Sequence, residues 1–357
     1  MPKESYPSGL KSTAHQDNKK LPKLISYFTP PRKYLYDRIV LDPVIIVLVI
    51  KCKVFICRDL RDMTDTVFRS RSLGTPAEGL KDQYADGKAA RLWEICIGDR
   101  NSRTRNYRNF LMGLLRSKGC KRILDVACGT GVDSVLLLEE GFEVVSADAS
   151  DKMLKYAFKT RWSRRKEPAF DRWVIEEGNW LTLCDDIEQY IGDGFDAVIC
   201  LGNSFAHMMD SYGDQREQKL AIKNFEKCVK PGGFLLIDHR NYDHMIESGS
   251  TPVKSLYYNS KHMLDIKTSV LFEAGKPTMI ILDYVIDSSS LLKSQNGIKD
   301  DDVSEFRLSY YPHRLETFKA MLLEAFGTQC NYKLFGDFKS LEEVENPSYY
   351  IHLVEKL

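Results

Sequence analysis

A glycine-rich turn followed by an acidic residue is the pattern in this sequence that carries the most chemistry. Residues 123–134 read ILDVACGTGVDS, in which an apolar segment leads into Gly129 and Gly131 and then into a helix start. Asp148 ends the next apolar segment. A turn of this kind lets the backbone approach a nucleoside closely, and the acid can accept both ribose hydroxyls. The pattern therefore predicts a nucleoside-binding site.

The third position of the glycine pattern distinguishes two kinds of nucleoside ligand. Gly129 and Gly131 match the first two glycines of the dinucleotide fingerprint, but Ser134 stands at the third place. A pyrophosphate needs the close helix–strand approach that a third glycine allows. S-adenosylmethionine has no phosphate and carries a sulfonium cation. The sequence thus favours S-adenosylmethionine over NAD, and it argues against a nicotinamide oxidoreductase.

The elements around this turn alternate between apolar strands and helices. Strands are predicted at 123–128, 143–147, 172–176, 195–201 and 233–238. Their continuous Val, Ile, Leu and Phe runs are typical of strands covered on both faces. Alternation with helices builds a doubly wound parallel sheet, which binds its ligands at the carboxyl ends of the strands.

Residues at those carboxyl ends form a consistent set of candidates. After strand three, the Asn179 amide can bind the adenine edge and the Trp180 indole can stack on it. Arg240 follows strand five, at the same edge of the sheet. The candidates at the cofactor side are Ala127, Gly129, Asp148, Asn179, Trp180 and Leu201.

The C-terminal third changes character. Strands with an antiparallel pattern are predicted at 255–258, 267–272, 279–286 and 305–311, with a polar loop at 288–302. A helix at 314–326 and strands at 332–338 and 348–355 then complete the main sheet. The expected domains are an extension at 1–63 that is disordered or outside the native enzyme, a core with an N-terminal arm at 64–247, an inserted cap at 248–311 and the end of the core sheet at 312–357.

Composition limits the partners. Fifty-one basic and fifty acidic residues leave a net charge of +1, which argues against a nucleic-acid partner. The nine cysteines show no zinc-ligand spacing, so we expect reduced thiols, no metal and a cytoplasmic protein. The apolar run Val44–Ile50 is far shorter than the roughly 20 residues that span a bilayer, so no membrane contact is expected.

The chain from about Val67 to its C-terminus resembles the glycine N-methyltransferase family. Its first 60 or so residues have no counterpart there. The segments that carry the resemblance are RSRSLGTPAEGLKDQYADGKAARLWEICIGD, LDVACGTGVDS, SDKMLKYAFK, EPAFDRWVIEEGNW, FDAVICLGNSFAH, LLIDHRNYDH, ILDY and FRLSYYPH. The resemblance implies a seven-stranded, mostly parallel Rossmann-like methyltransferase sheet with an antiparallel cap, and methyl transfer from S-adenosylmethionine to glycine, which gives sarcosine.

The resemblance also implies roles for individual residues. Arg240, at a strand end, would hold the glycine carboxylate with two hydrogen bonds; the alternative for it is a surface salt bridge. Asn203 would also contact the glycine. Trp93, Arg103 and His207 would contact the cofactor, the arginine through the methionine carboxylate. The family's active-site tyrosines correspond to Tyr84, Tyr258, Tyr284 and Tyr310; from the residues alone, each could instead be a core aromatic. Of these, Tyr84 would also contact the cofactor.

The family forms homotetramers through N-terminal arms, here about Val67–Gly79, with Glu78 at the residue that closes the neighbour's entrance. The extension ahead of that arm could obstruct this assembly. Cys96 replaces a family tyrosine in the cofactor pocket, which predicts weaker S-adenosylmethionine binding. Phe68 and Thr278 replace a tyrosine and a histidine of the family's folate site, which argues against folate regulation.

Two other activities fit the same residues. Asn203 and Arg240 could hold any amino-acid carboxylate, so a methyltransferase of sarcosine or of a guanidino acid is one alternative. The other is a module that binds S-adenosylmethionine or folate without turnover, which Cys96 leaves open and the retained Arg240 and tyrosines argue against.

Overall fold

A computed structural model describes residues 83–84, 87–98, 100–252, 255–287, 303–327 and 329–357. The predictions for the extension at 1–63, for the arm with Phe68 and Glu78, and for the polar loop at 288–302 lie outside these residues.

Five parallel strands form the centre of the main sheet. They are β1 (Arg122–Asp125), β2 (Glu143–Asp148), β3 (Val174–Glu177), β4 (Phe195–Cys200) and β5 (Val229–Arg240). Three antiparallel strands, β9 (Asn331–Gly336), β10 (Lys339–Ser340) and β11 (Tyr349–Glu355), extend it beyond β5. The order is β10-β9-β11-β5-β4-β1-β2-β3, so the expected seven strands are joined by a two-residue edge strand, β10.

Helices cover both faces of this sheet. Successive residues of a strand point to opposite faces, and Ile123 and Leu124 of β1 indeed belong to two separate apolar clusters. The helices are α1 (Lys88–Ile97), α2 (Arg105–Ser117), α3 (Val132–Glu139), α4 (Asp151–Ser163), α5 (Pro168–Asp171), α6 (Leu183–Asp186), α7 (Glu188–Ile191), α8 (Arg216–Cys228), α9 (Tyr242–Ser248) and α10 (Leu315–Phe326).

A second sheet forms the cap. Its antiparallel strands are β6 (Met263–Glu273), β7 (Lys276–Asp287) and β8 (Val303–Tyr310), in the order β6-β7-β8. A third apolar cluster joins this sheet to α1 and α9, with Tyr284 and Tyr310 in it. The prediction of a mostly parallel doubly wound sheet with a separate antiparallel sheet is confirmed.

Two local predictions were wrong. The segment 255–258 is not a strand, because only Tyr258 makes a ladder contact, an isolated bridge to Arg103. Strand β5 begins at Val229 rather than near 233, and its pairing with β4 shifts register between Phe195 and Ala197. Pro231 has no backbone N–H to donate, so the strand bulges there before it pairs again from Phe234.

Candidate active site

One cavity of about 1160 Å³ lies at the carboxyl edge of the main sheet, below the cap. That volume is slightly above the range for small-molecule sites, about 300–1,000 Å³. The structure brings all fifteen candidate site residues to its wall: Tyr84, Trp93, Arg103, Ala127, Gly129, Asp148, Asn179, Trp180, Leu201, Asn203, His207, Arg240, Tyr258, Tyr284 and Tyr310. Their individual roles stay predictions.

The turn after β1 has no room for larger residues. Gly131 has φ 84°, in the left-handed region, and a Cβ there would come within 2.8 Å of the Trp173 ring. At Gly129, φ is 53° and a Cβ would meet the Met153 methyl at 3.1 Å. Of the two glycines, Gly129 lies on the cavity wall and presents bare backbone there, as the sequence pattern predicted. Gly131 is instead required by packing against Trp173.

Asp148 at the end of β2 holds that turn. Its Oδ2 accepts from the backbone N–H of Gly129 at 2.8 Å, and its Oδ1 accepts from the N–H of Ser150 at 2.9 Å. Each carboxylate oxygen has two lone-pair sites, so these bonds leave acceptor capacity for a diol. The same bonds fix the carboxylate in position at the cavity wall.

Ser134, at the place of the absent third glycine, belongs to a buried polar network. Its hydroxyl donates to Asp125 Oδ2 at 2.8 Å and accepts from Ser146, whose hydroxyl also accepts from the Trp173 indole N–H at 2.8 Å. Burial raises the pKa of Asp125 to about 7. The serine thus stabilises the sheet behind the turn, a role that the sequence did not indicate.

The nucleoside side of the cavity is shaped by hydrogen bonds within the protein. The Trp180 indole N–H donates to the Val126 carbonyl at 2.7 Å, and its ring stacks on Phe205 with centroids 5.4 Å apart. The Asn179 side-chain oxygen accepts from the Leu181 N–H at 3.1 Å. Both side chains line the cavity with fixed orientations.

Arg103 is buried and already holds a carboxylate of the protein. Its Nε and Nη2 donate to the two oxygens of Asp133, each at 2.8 Å. Burial would lower the pKa of Arg103, but the Asp133 carboxylate raises it above its ordinary value. Asp133 also lines the cavity. The predicted grip on the cofactor carboxylate would therefore use the three remaining N–H donors of an arginine that Asp133 orients.

Asn203 and Arg240 form what we call the carboxylate clamp. Asn203 Oδ1 accepts from the Arg240 backbone N–H and from the Tyr242 hydroxyl, both at 2.9 Å. Arg240 is 7% exposed, so it is not a surface residue; its Nη1 donates to Thr251 at 3.0 Å. Two buried donors of the clamp, Asn203 Nδ2 and Arg240 Nε, have no hydrogen-bond partner among the described residues.

Both residues line the cavity, and their two buried donors call for an acceptor. A buried polar group without a partner costs about 1–3 kcal/mol, and a charged group costs more. A carboxylate supplies two oxygens with about four lone-pair sites, which suits a guanidinium and an amide together. The clamp is thus built for an anionic group of a small ligand.

Asp238 was missed by the sequence reasoning. It is fully buried behind the clamp, accepts from the Asn203 backbone N–H at 2.9 Å and accepts from the Tyr257 hydroxyl at 2.6 Å. Asn203 itself has φ 64°, a left-handed conformation that is uncommon for a non-glycine residue. Burial raises the pKa of Asp238 to about 7. The only sequence signal for it was its place in the segment after strand five.

The candidate tyrosines surround the clamp and the cap. The Tyr284 and Tyr310 hydroxyls lie 2.8 Å apart and are hydrogen-bonded to each other. The Trp93 ring meets Tyr258 and Tyr284 edge-on, with centroids 5.9 and 5.5 Å apart. Burial raises the pKa of Tyr258 and Tyr310 well above the ordinary value, so both hydroxyls keep their protons.

Comparison with known proteins identifies the family. The chain is 56% identical to glycine N-methyltransferase of Rattus norvegicus and 55% identical to that of Homo sapiens, each over 297 residues that cover 82% of this chain and 99% of the relative. A family profile described as "Methyltransferase domain" matches residues 117–289. The chain belongs to the glycine N-methyltransferase family.

More distant members and solved structures agree with this. Glycine/sarcosine N-methyltransferase of Halorhodospira halochloris is 32% identical over 275 residues, 77% of this chain and 89% of that protein. An S-adenosylmethionine-dependent methyltransferase structure from Clostridium acetobutylicum superposes with a TM-score of 0.52 at 17% identity, over 76% of this chain and 98% of the other. That likeness shows the fold alone.

Membership in the glycine N-methyltransferase family gives meaning to two departures. Cys96 is buried, and it is absent from the cavity wall. Thr278 on β7 does line the cavity. Burial raises the pKa of the Cys96 thiol to about 12, so the residue is a neutral, unreactive core side chain.

Two further features of the described residues concern metals and membranes. In this part of the chain, no three His, Cys, Asp or Glu side chains converge in a way that could hold a metal ion. None of its helices has both the length and the apolar character that crossing a membrane requires.

Proposed function

We propose that this protein transfers the methyl group of S-adenosyl-L-methionine to the amine of glycine and releases sarcosine and S-adenosyl-L-homocysteine. The observation that carries the proposal is the pair of unpartnered buried donors in the clamp, Arg240 Nε and Asn203 Nδ2. The carboxylate of glycine is an acceptor of the right charge for both. The identity to curated glycine N-methyltransferases supports the choice of amino acid.

S-adenosylmethionine fits the other half of the cavity. The bare backbone at Gly129 allows close approach, and Asp148 retains acceptor capacity for the ribose hydroxyls. Trp180 and Asn179 would lie beside the adenine, and Arg103 would lie beside the methionine carboxylate. The co-substrate supplies an electrophilic methyl group on a sulfonium.

Methyl transfer depends mainly on how the amine is positioned relative to the methyl group. The amine must arrive neutral, having lost its proton to solvent, with its lone pair in line with the carbon–sulfur bond. As the nitrogen–carbon bond forms, the carbon–sulfur electron pair stays on sulfur, so the positive charge moves from sulfur to nitrogen. Holding two reactants in this geometry can contribute about 7–11 kcal/mol of the barrier. The clamp fixes one end of glycine, and the tyrosine hydroxyls of Tyr84, Tyr258, Tyr284 and Tyr310 line the space around the other.

The test is a substrate panel. Purified protein is incubated with methyl-labelled S-adenosylmethionine and with glycine, sarcosine, guanidinoacetate or ethanolamine, and the labelled product is identified by chromatography. We expect sarcosine from glycine as the main product and none from ethanolamine, which has no carboxylate. Binding of the cofactor without transfer to any amine would overturn the proposal and favour the non-catalytic module.

Sarcosine is a second candidate substrate, because members at 32–33% identity are named glycine/sarcosine N-methyltransferases. The same panel tests it. A rate with sarcosine equal to that with glycine would widen the proposed activity to both amines, and a preference for guanidinoacetate would replace it.

We further propose a cytoplasmic homotetramer with the domain division given by the sequence, in which 248–311 is a cap inserted in the core. The family resemblance supports this, and the separate three-stranded sheet is consistent with the division. Sedimentation equilibrium of the full chain tests the assembly. A monomer would contradict the tetramer and would implicate the N-terminal extension.

A further inference from the structure

Gln83, next to Tyr84, is anchored to the cap by its side chain. Its Oε1 accepts from the Ser309 backbone N–H, and its Nε2 donates to the Ser309 carbonyl at 2.9 Å. A backbone N–H can only donate and a carbonyl can only accept. These two contacts therefore fix which end of the Gln83 amide is nitrogen, a choice that is otherwise ambiguous for glutamine.

The orientation of Gln83 determines the proton position on His207. The Gln83 Nε2 also lies 3.1 Å from His207 Nδ1. Since that amide nitrogen can only donate, Nδ1 must be the acceptor. A neutral imidazole carries one proton, so the proton of His207 is on Nε2.

The proton position on His207 determines the direction of its hydrogen bond with Tyr84. His207 Nε2 lies 3.4 Å from the Tyr84 hydroxyl oxygen, a long contact of the kind that often tightens when a substrate binds. The two rings meet edge-on with centroids 5.8 Å apart, and the His207 ring also packs on Tyr310 at 4.7 Å. With the proton on Nε2, the Tyr84 oxygen accepts from His207, and its own proton must be donated to a different group.

We propose that Gln83 is a positioning residue: it sets the Nε2-protonated tautomer of His207 and thereby orients the Tyr84 hydroxyl in the methyl-transfer site. The residue acts through His207, to which its amide is hydrogen-bonded. The proposal rests on the proposed function only in its last step, from Tyr84 to methyl transfer.

The environment of His207 keeps the ring neutral, as the hydrogen bonds from Gln83 to His207 and from His207 to Tyr84 require. Burial lowers the pKa of His207 to about 4. Its recorded polar neighbours, the Gln83 and Tyr84 side chains and the Ser309 backbone, are uncharged. A neutral ring has one donor nitrogen and one acceptor nitrogen. Replacing the Gln83 amide by a carboxylate, which can only accept, would move the proton from Nε2 to Nδ1.

The first test measures the tautomer and needs no substrate. The full-length protein is labelled with 15N-histidine, and the His207 signals are assigned by their loss in His207→Asn among the seven histidines of the chain. The wild type should show a protonated Nε2 and an unprotonated Nδ1. A protonated Nδ1 in the wild type would overturn the proposal, whatever the protein methylates.

The second test uses Gln83→Glu, because a carboxylate cannot donate to His207 Nδ1. We expect the His207 proton on Nδ1, or a doubly protonated ring, and a kcat with glycine about tenfold lower, with a smaller change in the KM for glycine. Gln189→Glu is the matched control, since Gln189 is exposed on α7 and the substitution makes the same charge change there. Its tautomer and kcat should equal those of the wild type.

The outcomes separate the steps. An unchanged tautomer in Gln83→Glu refutes the role of Gln83. A changed tautomer with an unchanged kcat refutes the link from His207 to Tyr84. If Gln83→Glu does not fold, Gln83→Met removes the donors without adding charge, and it should give a mixture of tautomers.

Discussion

The two halves of the cavity treat their polar groups differently. Around the ends of β1 to β3, the candidate side chains are engaged by the protein itself. Asp148 accepts from two backbone N–H groups, and the Trp180 indole donates to the Val126 carbonyl. Arg103, which lies just before α2, binds Asp133. At the ends of β4 and β5, the clamp keeps two buried donors, Arg240 Nε and Asn203 Nδ2, without partners among the described residues.

This difference suggests two ways to prepare a binding site. The nucleoside half is rigid because the same bonds that shape it also stabilise the fold, so binding there costs little ordering. The clamp half keeps unsatisfied donors, which cost stability that a ligand carboxylate restores. Mutations in the first half should therefore affect stability and cofactor affinity together, and mutations in the second should affect the amino-acid substrate alone.

Arg240→Lys should have the largest effect. The substitution keeps the positive charge but removes the planar fork that can bind a carboxylate with two bonds. We expect kcat/KM for glycine to fall by a factor of about 10²–10³, equal to about 3–4 kcal/mol. The dissociation constant of S-adenosylmethionine, measured by titration calorimetry, should change less than about threefold, which is no more than the loss of one weak contact would cause.

Arg116→Lys is the control for this prediction, because Arg116 is exposed on α2, pairs with Glu140 and lies away from the cavity. It should leave both constants unchanged. An equal loss of cofactor affinity in Arg240→Lys would show that the two halves are not independent.

Asp148→Asn should come next, with a mixed effect. An amide keeps one acceptor oxygen, so it cannot serve Gly129, Ser150 and a diol as the carboxylate does. We expect S-adenosylmethionine affinity to fall about tenfold or more and unfolding free energy to fall by about 1–2 kcal/mol. Urea titration measures the second quantity. A loss of affinity at unchanged stability would contradict the shared role of these bonds.

Asp238→Asn should raise the KM for glycine about tenfold at pH 8, with unchanged cofactor affinity, because it disturbs the left-handed backbone of Asn203. Burial raises the pKa of Asp238 to about 7, so the wild-type carboxylate becomes protonated below that pH. The difference in KM between wild type and variant should shrink as the pH falls from 8 to 6. A ratio that stays constant over this range would argue against an ionised Asp238 in the working site.

Much of this arrangement was accessible from the sequence, for identifiable reasons. Glycine spacing and apolar runs depend on local geometry, so they located Gly129, Asp148 and the parallel strands. Arg240 was placed by the rule that ligands meet the carboxyl ends of strands.

The supporting residues were not accessible in this way. Asp238 and Gln83 act through contacts with Asn203 and Ser309, which lie 35 and 226 positions away in the chain. No local pattern encodes such pairs. The bulge in β5 was missed for a related reason, since it depends on how this strand pairs with Phe195 and Ala197 of β4.

Cys96→Tyr should have the smallest effect. It tests whether the cofactor half of the cavity lacks a hydroxyl. The family tyrosine would restore one hydroxyl, worth about 0.5–1.5 kcal/mol, so we expect S-adenosylmethionine to bind about two- to tenfold more tightly. Cys96 is only 1% exposed, so the larger ring should also cost about 1–3 kcal/mol of stability through overpacking. Cys96→Phe is the matched control, since it adds the ring without the hydroxyl. Equal dissociation constants for the cysteine and tyrosine forms, measured by calorimetry, would mean that the cofactor half is already complete without this hydroxyl.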